Sequence, residues 1–451
     1  MNNLSQKVPS AAAGSDPRHV AGHIVRNLRD KGFQAYLVGG CVRDLLRGVP
    51  PKDFDVATDA TPDQVLKLFP QSLAVGAKFG VVIARENEQQ IEIATFRNDG
   101  IYTDHRRPDA VSFSRSPQED VLRRDFTING LLMDPESGKV LDFVDGKKDI
   151  QQQIIRCIGD PEKRFEEDHL RMLRAVRFAT VLGYKIHSET ADAIKKLAPK
   201  IASISAERVR DEILRILVSG FARRGFELLD SCGLLGIILP EITAMKGIEQ
   251  PPQFHPEGDV WIHTMLMIEG LPCDVAPELA LGVLLHDVGK PPTFRVAPDR
   301  IRFDNHVSVG MRLAEQICHR LRMSQTETAQ VVALVEYHMH FRDAPSMKAS
   351  TLKRFLRLPL FAEHLELHRL DCLSSHRKLE NYEFVQSKLK EFSVEKLSPP
   401  RLITGDDLTQ SGYSPGPQYR VILQAVEDAQ LEGRLSSREE ALQFVREKFT
   451  P

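Results

Sequence analysis

Residues 37–60 read LVGGCVRDLLRGVPPKDFDVATDA. Tyr36, Leu37 and Val38 close an apolar run that predicts a buried strand, and Gly39 and Gly40 then turn the chain into a short helix opened by VRDLLRG. A strand–Gly-Gly–helix junction lets backbone N–H groups approach an anion, because no Cβ blocks the way and a helix start favours negative charge. Arg43, just inside that helix, adds a guanidinium able to grip the same phosphate. After the Pro50-Pro51 turn comes DFDVAT. Here Asp53 and Asp55 stand two apart on a predicted strand, both carboxylates on one face and Phe54 on the other. Paired hard oxygen ligands beside a phosphate cradle are what a Mg²⁺-dependent phosphoryl or nucleotidyl transfer needs.

Either half alone reads as a solvated Gly/Asp turn. Joined at this spacing, they resemble the opening motif LVGGxVRDxLLGxxxxDxD of the bacterial-type (class II) tRNA nucleotidyltransferase/poly(A) polymerase family. The resemblance continues at residues 120–135, DVLRRDFTINGLLMDP, which are similar to that family's DxxRRDFTxNA motif, with Gly130 in place of Ala. It implies that Arg123 and Arg124, expected to head a helix, reach a triphosphate. Asp125 and Asn129, with Thr127, would bond the ribose or brace the metal-bearing strands. Between the motifs, SLAVGAKFGVVIAREN and QQIEIATFR alternate as strands do. Glu92 stands there between Ile91 and Ile93, and the resemblance makes it a third catalytic carboxylate. The polar stretch RNDGIYTDHRRPDAVSF lies where the family carries a loop close to its active site.

From Ile158 the pattern turns helical. Arg171, Arg174 and Arg177 are three apart and form one inclined row on a helix, with Leu170, Leu173, Val176 and Phe178 on its apolar side. EDHLR, residues 167–171, resembles the family's EDxxR signature. CTP and ATP both present an amino donor beside a ring-nitrogen acceptor, and UTP and GTP the reverse. A carboxylate at Asp168 beside a guanidinium at Arg171 therefore selects C and A without a nucleic-acid template. The implied nucleotide-binding set is Gly39, Gly40, Arg43, Arg123, Arg124, Asp125, Asn129, Asp168, Arg171, Arg174 and Arg177. SAERVRDEILRIL and FELLDSCGLLGIILPEI predict amphipathic helices that match the family's neck.

A second chemistry follows. Ten of the fifteen histidines lie between His255 and His376. His263, His286, Asp287, His306, His338 and Asp371 fall in the order H…HD…H…H…D, which resembles the HD phosphohydrolase superfamily. Mixed imidazole and carboxylate ligands suit one or two divalent transition-metal ions with open positions for a phosphate. His340, two residues from His338, competes for its place. The last stretch, a Gly/Pro-punctuated turn and two helices around Pro417, resembles the C-terminal arm of HD-containing members of the family.

The 451 residues allow three or four domains, and no apolar run is long enough to span a bilayer. The formal charge of −2 requires any nucleic-acid contact to come from a local basic surface. Six scattered cysteines, with no CxxC pair, fit a reducing cytoplasm.

The expected architecture is an α/β nucleotidyltransferase head followed by all-α neck, HD and tail domains. Residues 1–17 would be a disordered leader, 18–150 the head, 151–250 the neck, 251–390 the HD domain and 391–451 an RNA-binding tail. The resemblance implies addition of C and A to a tRNA 3′ end from CTP and ATP, with Mg²⁺ at Asp53 and Asp55. The alternatives are a poly(A) polymerase, a partial CC- or A-adding enzyme, or an HD phosphohydrolase acting on cyclic phosphates or phosphomonoesters. No membrane partner is expected.

Overall fold

A computed structural model describes residues 16–100, 111–392 and 397–450. Most of the expected leader, the centre of the loop around residues 97–113, and part of the SVEKL stretch therefore lie outside the described residues. The chain divides into two compact units, residues 1–240 and 241–451.

The first unit opens with helix α1 (Pro17–Asp30), where Asp16 accepts from the Arg18 N–H at 3.1 Å and Pro17 sets the first turn. Its buried stripe of Val20, Ile24, Val25 and Leu28 covers a six-stranded sheet. Strand β1 (Ala35–Val38) leads through Gly39 into α2 (Gly40–Leu46), and β2 (Asp55–Thr58) returns antiparallel beside it. Helix α3 (Pro62–Leu68) carries a capping box, and β3 (Val81–Glu86) and β4 (Gln89–Thr95) form a hairpin. The sequence pattern extended the first of these strands back to Ser72. Instead residues 77–79 form a 3₁₀ turn between two left-handed glycines, Gly76 and Gly80, and only Leu73 bridges to Ile83.

The short strands β5 (Arg97–Asp99) and β6 (Val111–Phe113) pair with each other. Helix α4 (Pro117–Leu122) precedes β7 (Leu131–Met133) and β8 (Val140–Asp142), and the sheet order is β3-β4-β2-β1-β7-β8. β1 is thus central, with β2 and β7 hydrogen-bonded on its two sides. A helical block follows, including α5 (Gly146–Gln152), α6 (Pro161–Glu167), α7 (Leu170–Leu182), α8 (Ser188–Leu197) and α9 (Ala206–Leu217).

The second unit is mainly helical. Its centre is Pro277–Leu285, buried from Leu279 to Leu285. Gly282 lets Gln325–Tyr337 pack close, since a Cβ there would lie 2.6 Å from Leu334 Cδ1. Val260–Glu269, His306–Arg320 and Phe361–Ser374 belong to the same bundle. At the C-terminal end Gly405–Gln410, Pro417–Leu431 and Arg438–Lys448 share a small core of Leu408, Tyr413, Ile422, Val426, Ala441 and Val445. No described helix is long and apolar enough to cross a membrane.

Candidate active sites

In the first unit the Gly-Gly turn is built as its residues dictate. Gly39 has φ +78°, a conformation a side chain would strain, and donates its N–H to Leu131 O at 3.2 Å. Two guanidiniums stand over the turn. A Cβ on Gly39 would lie 3.7 Å from Arg124 Nη1, and one on Gly40 3.6 Å from Arg43 Nη2. Arg43 is buried and held by Asp44 at 2.9 and 3.0 Å and by Asn129 Oδ1 at 2.9 Å.

Asp53 precedes β2 rather than lying on it, because the regular ladder begins at Asp55 opposite Val38. On its other side β2 runs parallel to β4, in a register that sets Asp55 beside Glu92. Their side chains leave the same sheet face as neighbours. Burial, reinforced by Glu92 and Asp53 and opposed by Arg124, pushes the Asp55 carboxyl up to about 6. Three acids thus converge at the end of β2 with one partly compensating cation.

Arg123 and Arg124 follow helix α4 rather than heading one. Ser116 and Pro117 start that helix earlier, so the two arginines fall just past its C-terminus. Both clamp the fully buried Asp120: Arg123 on Oδ1 at 2.8 and 2.6 Å, Arg124 on Oδ2 at 3.2 and 2.9 Å. Burial would raise Asp120, but the two guanidiniums hold it below its usual range. Arg124 faces the Gly-Gly turn. Arg123 instead approaches Asp99 of β5 at 3.7 Å.

Asp125 is tied to Arg174 at 3.0 and 2.6 Å and to Asn129 at 3.3 Å; burial opposes its ionisation, and Arg174 outweighs it. Phe178, which the sequence pattern assigns to the apolar side of α7, is the hub of this region. The guanidiniums of Arg43, Arg174 and Arg177 lie 5.5, 5.4 and 4.2 Å from its ring centroid, and Phe126 meets its edge at 5.8 Å. Four predicted residues are thereby drawn around one patch: Arg43, Asp125, Arg174 and Arg177.

Asp168 and Arg171 each engage other groups. Asp168 Oδ1 accepts the Leu170 N–H at 3.1 Å, and Oδ2 accepts from Arg208 of α9 at 2.7 Å. Arg171 donates to Glu167 Oε2 at 2.5 Å and Arg164 O at 3.0 Å. Arg208 lies 40 residues from Asp168 and carries no local signature in the sequence. Gly130 is explained by crowding, since a Cβ there would lie 3.0 Å from both Ile158 Cδ1 and Val144 Cγ2.

The histidine-rich stretch of the second unit converges as well. His286 and His338 end two helices and His306 begins a third. Each directs Nδ1 at the carbonyl three residues back: His286 at Val283 O (2.8 Å), His306 at Phe303 O (2.9 Å), His338 at Val335 O (2.6 Å). A carbonyl only accepts, so Nδ1 carries a proton in each ring and Nε2 is the nitrogen left for a metal. All three Nε2 atoms are buried, and those of His286 and His338 lie 3.1 and 3.8 Å from the Asp287 carboxylate. His263, His286 and Asp287 can bring their ligand atoms within 4.8 Å of one another, as can Asp287, His306 and His338. Asp287 belongs to both groups. Burial would raise its pKa, but His286 and Lys290, the latter at 2.6 Å, hold it well below the carboxylate range. Asp371 Oδ1 lies 3.3 Å from His263 Nε2. Burial disfavours charge on His263, yet Asp371 and Glu257 raise it to about 9. His340 is turned onto the Tyr337 and Phe355 rings, so His338 takes the place in the cluster. His255 and Glu257 join the cluster unpredicted, with Glu257 Oε1 2.9 Å from His255 Nδ1 and 2.7 Å from His263 Nδ1.

Three known families match the chain: "Poly A polymerase head domain" at residues 35–156, "Probable RNA and SrmB- binding site of polymerase A" at 183–246, and "tRNA nucleotidyltransferase domain 2 putative" at 306–445. A CCA-adding enzyme from Geobacillus stearothermophilus is 46% identical over 211 residues, 47% of this chain and 52% of that protein. One from Enterococcus faecalis is 43% identical over 205 residues, 46% of this chain and 50% of that protein. In these alignments the chain spans about half the length of the curated relatives it matches. Among solved structures, the Bacillus stearothermophilus CCA-adding enzyme in complex with CTP superposes with TM-score 0.74 at 26% identity, covering 96% of this chain and 98% of that one. The Thermotoga maritima CCA-adding enzyme complexed with tRNA shares the fold at TM-score 0.59 and 19% identity, covering 96% of each chain.

Proposed function

We propose that this chain, a member of the tRNA nucleotidyltransferase/poly(A) polymerase family, adds C and A to the 3′ end of tRNA from CTP and ATP, releasing pyrophosphate. The observation that carries the reading is the register that sets Asp55 beside Glu92, next to a Gly-Gly turn overlooked by Arg43 and Arg124. The donor set fits a hard divalent cation, since three carboxylates gather there and Asp55 holds its proton up to about 6 without one. Asp53, Asp55 and Glu92 would hold that ion, taken as Mg²⁺; when bound it activates the incoming 3′-hydroxyl and offsets charge on the triphosphate.

The chain's own residues do the rest. Arg124 and Arg43 grip the triphosphate over a turn that leaves backbone room for it. Asp168, fixed by Arg208 and the Leu170 N–H, accepts from the amino group of C or A, and Arg171 donates to the ring nitrogen. UTP and GTP meet acceptor against acceptor and are refused. The six cysteines are all unpaired, as suits work in the cytoplasm. Replacing Asp55 by Ala should abolish addition with the circular dichroism spectrum unchanged. Addition persisting within about tenfold of the parent would remove Asp55 from the reaction.

The second unit supports a second reading, a metal-dependent phosphohydrolase acting on cyclic phosphate or phosphomonoester ends. Its basis is the buried imidazoles whose ligand atoms gather around Asp287. His263, His286, Asp287, His306, His338 and Asp371 would hold one or two transition-metal ions. Hydrolysis of a 2′,3′-cyclic phosphate that depends on added metal tests it.

A further inference from the structure

His263 is held differently from the other three imidazoles of its cluster. His286, His306 and His338 each give Nδ1–H to a backbone carbonyl three residues back. His263 lies inside Val260–Glu269, where the helix ladder already uses the nearby carbonyls, and its Nδ1 turns to the carboxylate of Glu257 at 2.7 Å. The same Oε1 atom takes His255 Nδ1 at 2.9 Å. The side chain of Glu257 is 7% exposed and that of His263 fully buried. The preceding loop is fixed by Asp259, which accepts from Ile262 N at 2.8 Å and Gly247 N at 2.7 Å.

We infer that Glu257 is a positioning residue for the metal centre: it holds His263 through Nδ1 and so turns Nε2 into the cluster. A carboxylate behind an imidazole raises its basicity as a ligand more than a neutral carbonyl does. Val260 O, three residues back, already accepts the Thr264 hydroxyl at 2.8 Å, and Nδ1 is held by Glu257 instead. The inference rests on the metal reading of the cluster.

The test is titration of the full chain with Co²⁺, followed by visible absorption and by competition with Zn²⁺. Wild type, Glu257→Gln, Glu257→Ala and His286→Ala are compared, His286→Ala serving as control for the metal reading. Expected is a loss of affinity of roughly 10- to 100-fold in the Glu257 variants, larger for Ala than for Gln. Fluorescence of Trp261, the one tryptophan in the chain, should report an unchanged unfolding transition. Equal affinity in wild type and both Glu257 variants would overturn the role of Glu257 while leaving the metal reading intact. Failure of wild type to bind either metal would bring down both. Should both variants unfold, nitrogen-15 histidine spectra of the Zn²⁺-loaded wild type decide. His263 is expected to carry its proton on Nδ1, downfield of the other three; a proton on Nε2, or no downfield displacement, overturns the inference.

Discussion

At the scale of single residues the head is a set of ion pairs whose members were mostly visible in the sequence and whose partners were not. The spacing of Asp53, Asp55, Gly39, Gly40 and Arg43 is local, so strand and turn chemistry sufficed to group them. Arg208 and Glu257 were invisible to that reasoning because their roles come from packing across distant segments. Arg208 sits on Asp168 at 2.7 Å, and this bears on base selection. On the proposed reading, Asp168→Ala removes the acceptor for the amino group of C and A while Arg124 and the acid cluster stay in place. Loss of a charge-assisted hydrogen bond of about 1.5–3 kcal/mol lowers kcat/KM for CTP and ATP by roughly ten- to over a hundredfold, with UTP and GTP falling less. Arg208→Ala should weaken the same preference by a smaller factor, since Leu170 N still holds Asp168 Oδ1. An equal fall for all four nucleotides in Asp168→Ala would move selection elsewhere.

At the scale of elements the sequence pattern placed helices better than short strands. Caps such as Asp16-Pro17 and Thr61-Pro62 carry their own chemistry, and α1 and α3 begin at them. The stretch before Val81 alternates like a strand, but Gly76 and Gly80 bend it into a turn, a tertiary choice that periodicity does not encode. The helix Phe361–Ser374 shows what buried histidine does to an element. His364 packs near the Tyr337 and Phe361 rings, and its Nδ1 has no hydrogen-bond partner. Burial lowers its pKa from 6.5 to about 4. The unfolded chain therefore takes up this proton first, and stability present above pH 6.5 is lost as pH falls towards 4. The loss approaches about 3 kcal/mol for this one group. His364→Phe should remove that part of the acid sensitivity. Urea unfolding followed by Trp261 fluorescence at pH 7.5 and about pH 5 checks it; an identical pH dependence in the two proteins would show that His364 is not the group responsible.

At the scale of the whole molecule two compact units each carry their own candidate ligand set, the acids in residues 1–240 and the histidines in 241–451. On the phosphohydrolase reading proposed above, His286→Ala combined with Asp287→Ala should abolish metal-dependent phosphohydrolysis and leave nucleotide addition within about twofold. Loss of both activities from a folded double variant would mean that the two sets form one working site. The claim on which the rest depends is addition of C, C and A in order. Its most direct test uses a tRNA transcript lacking its last three nucleotides, given each labelled nucleotide alone and then CTP with ATP, with products resolved to single residues. Two additions from CTP alone, one further addition when ATP is present and then arrest, with UTP and GTP unused, is the predicted ladder. A tail of adenylates that keeps growing, or incorporation of all four nucleotides alike, would contradict it.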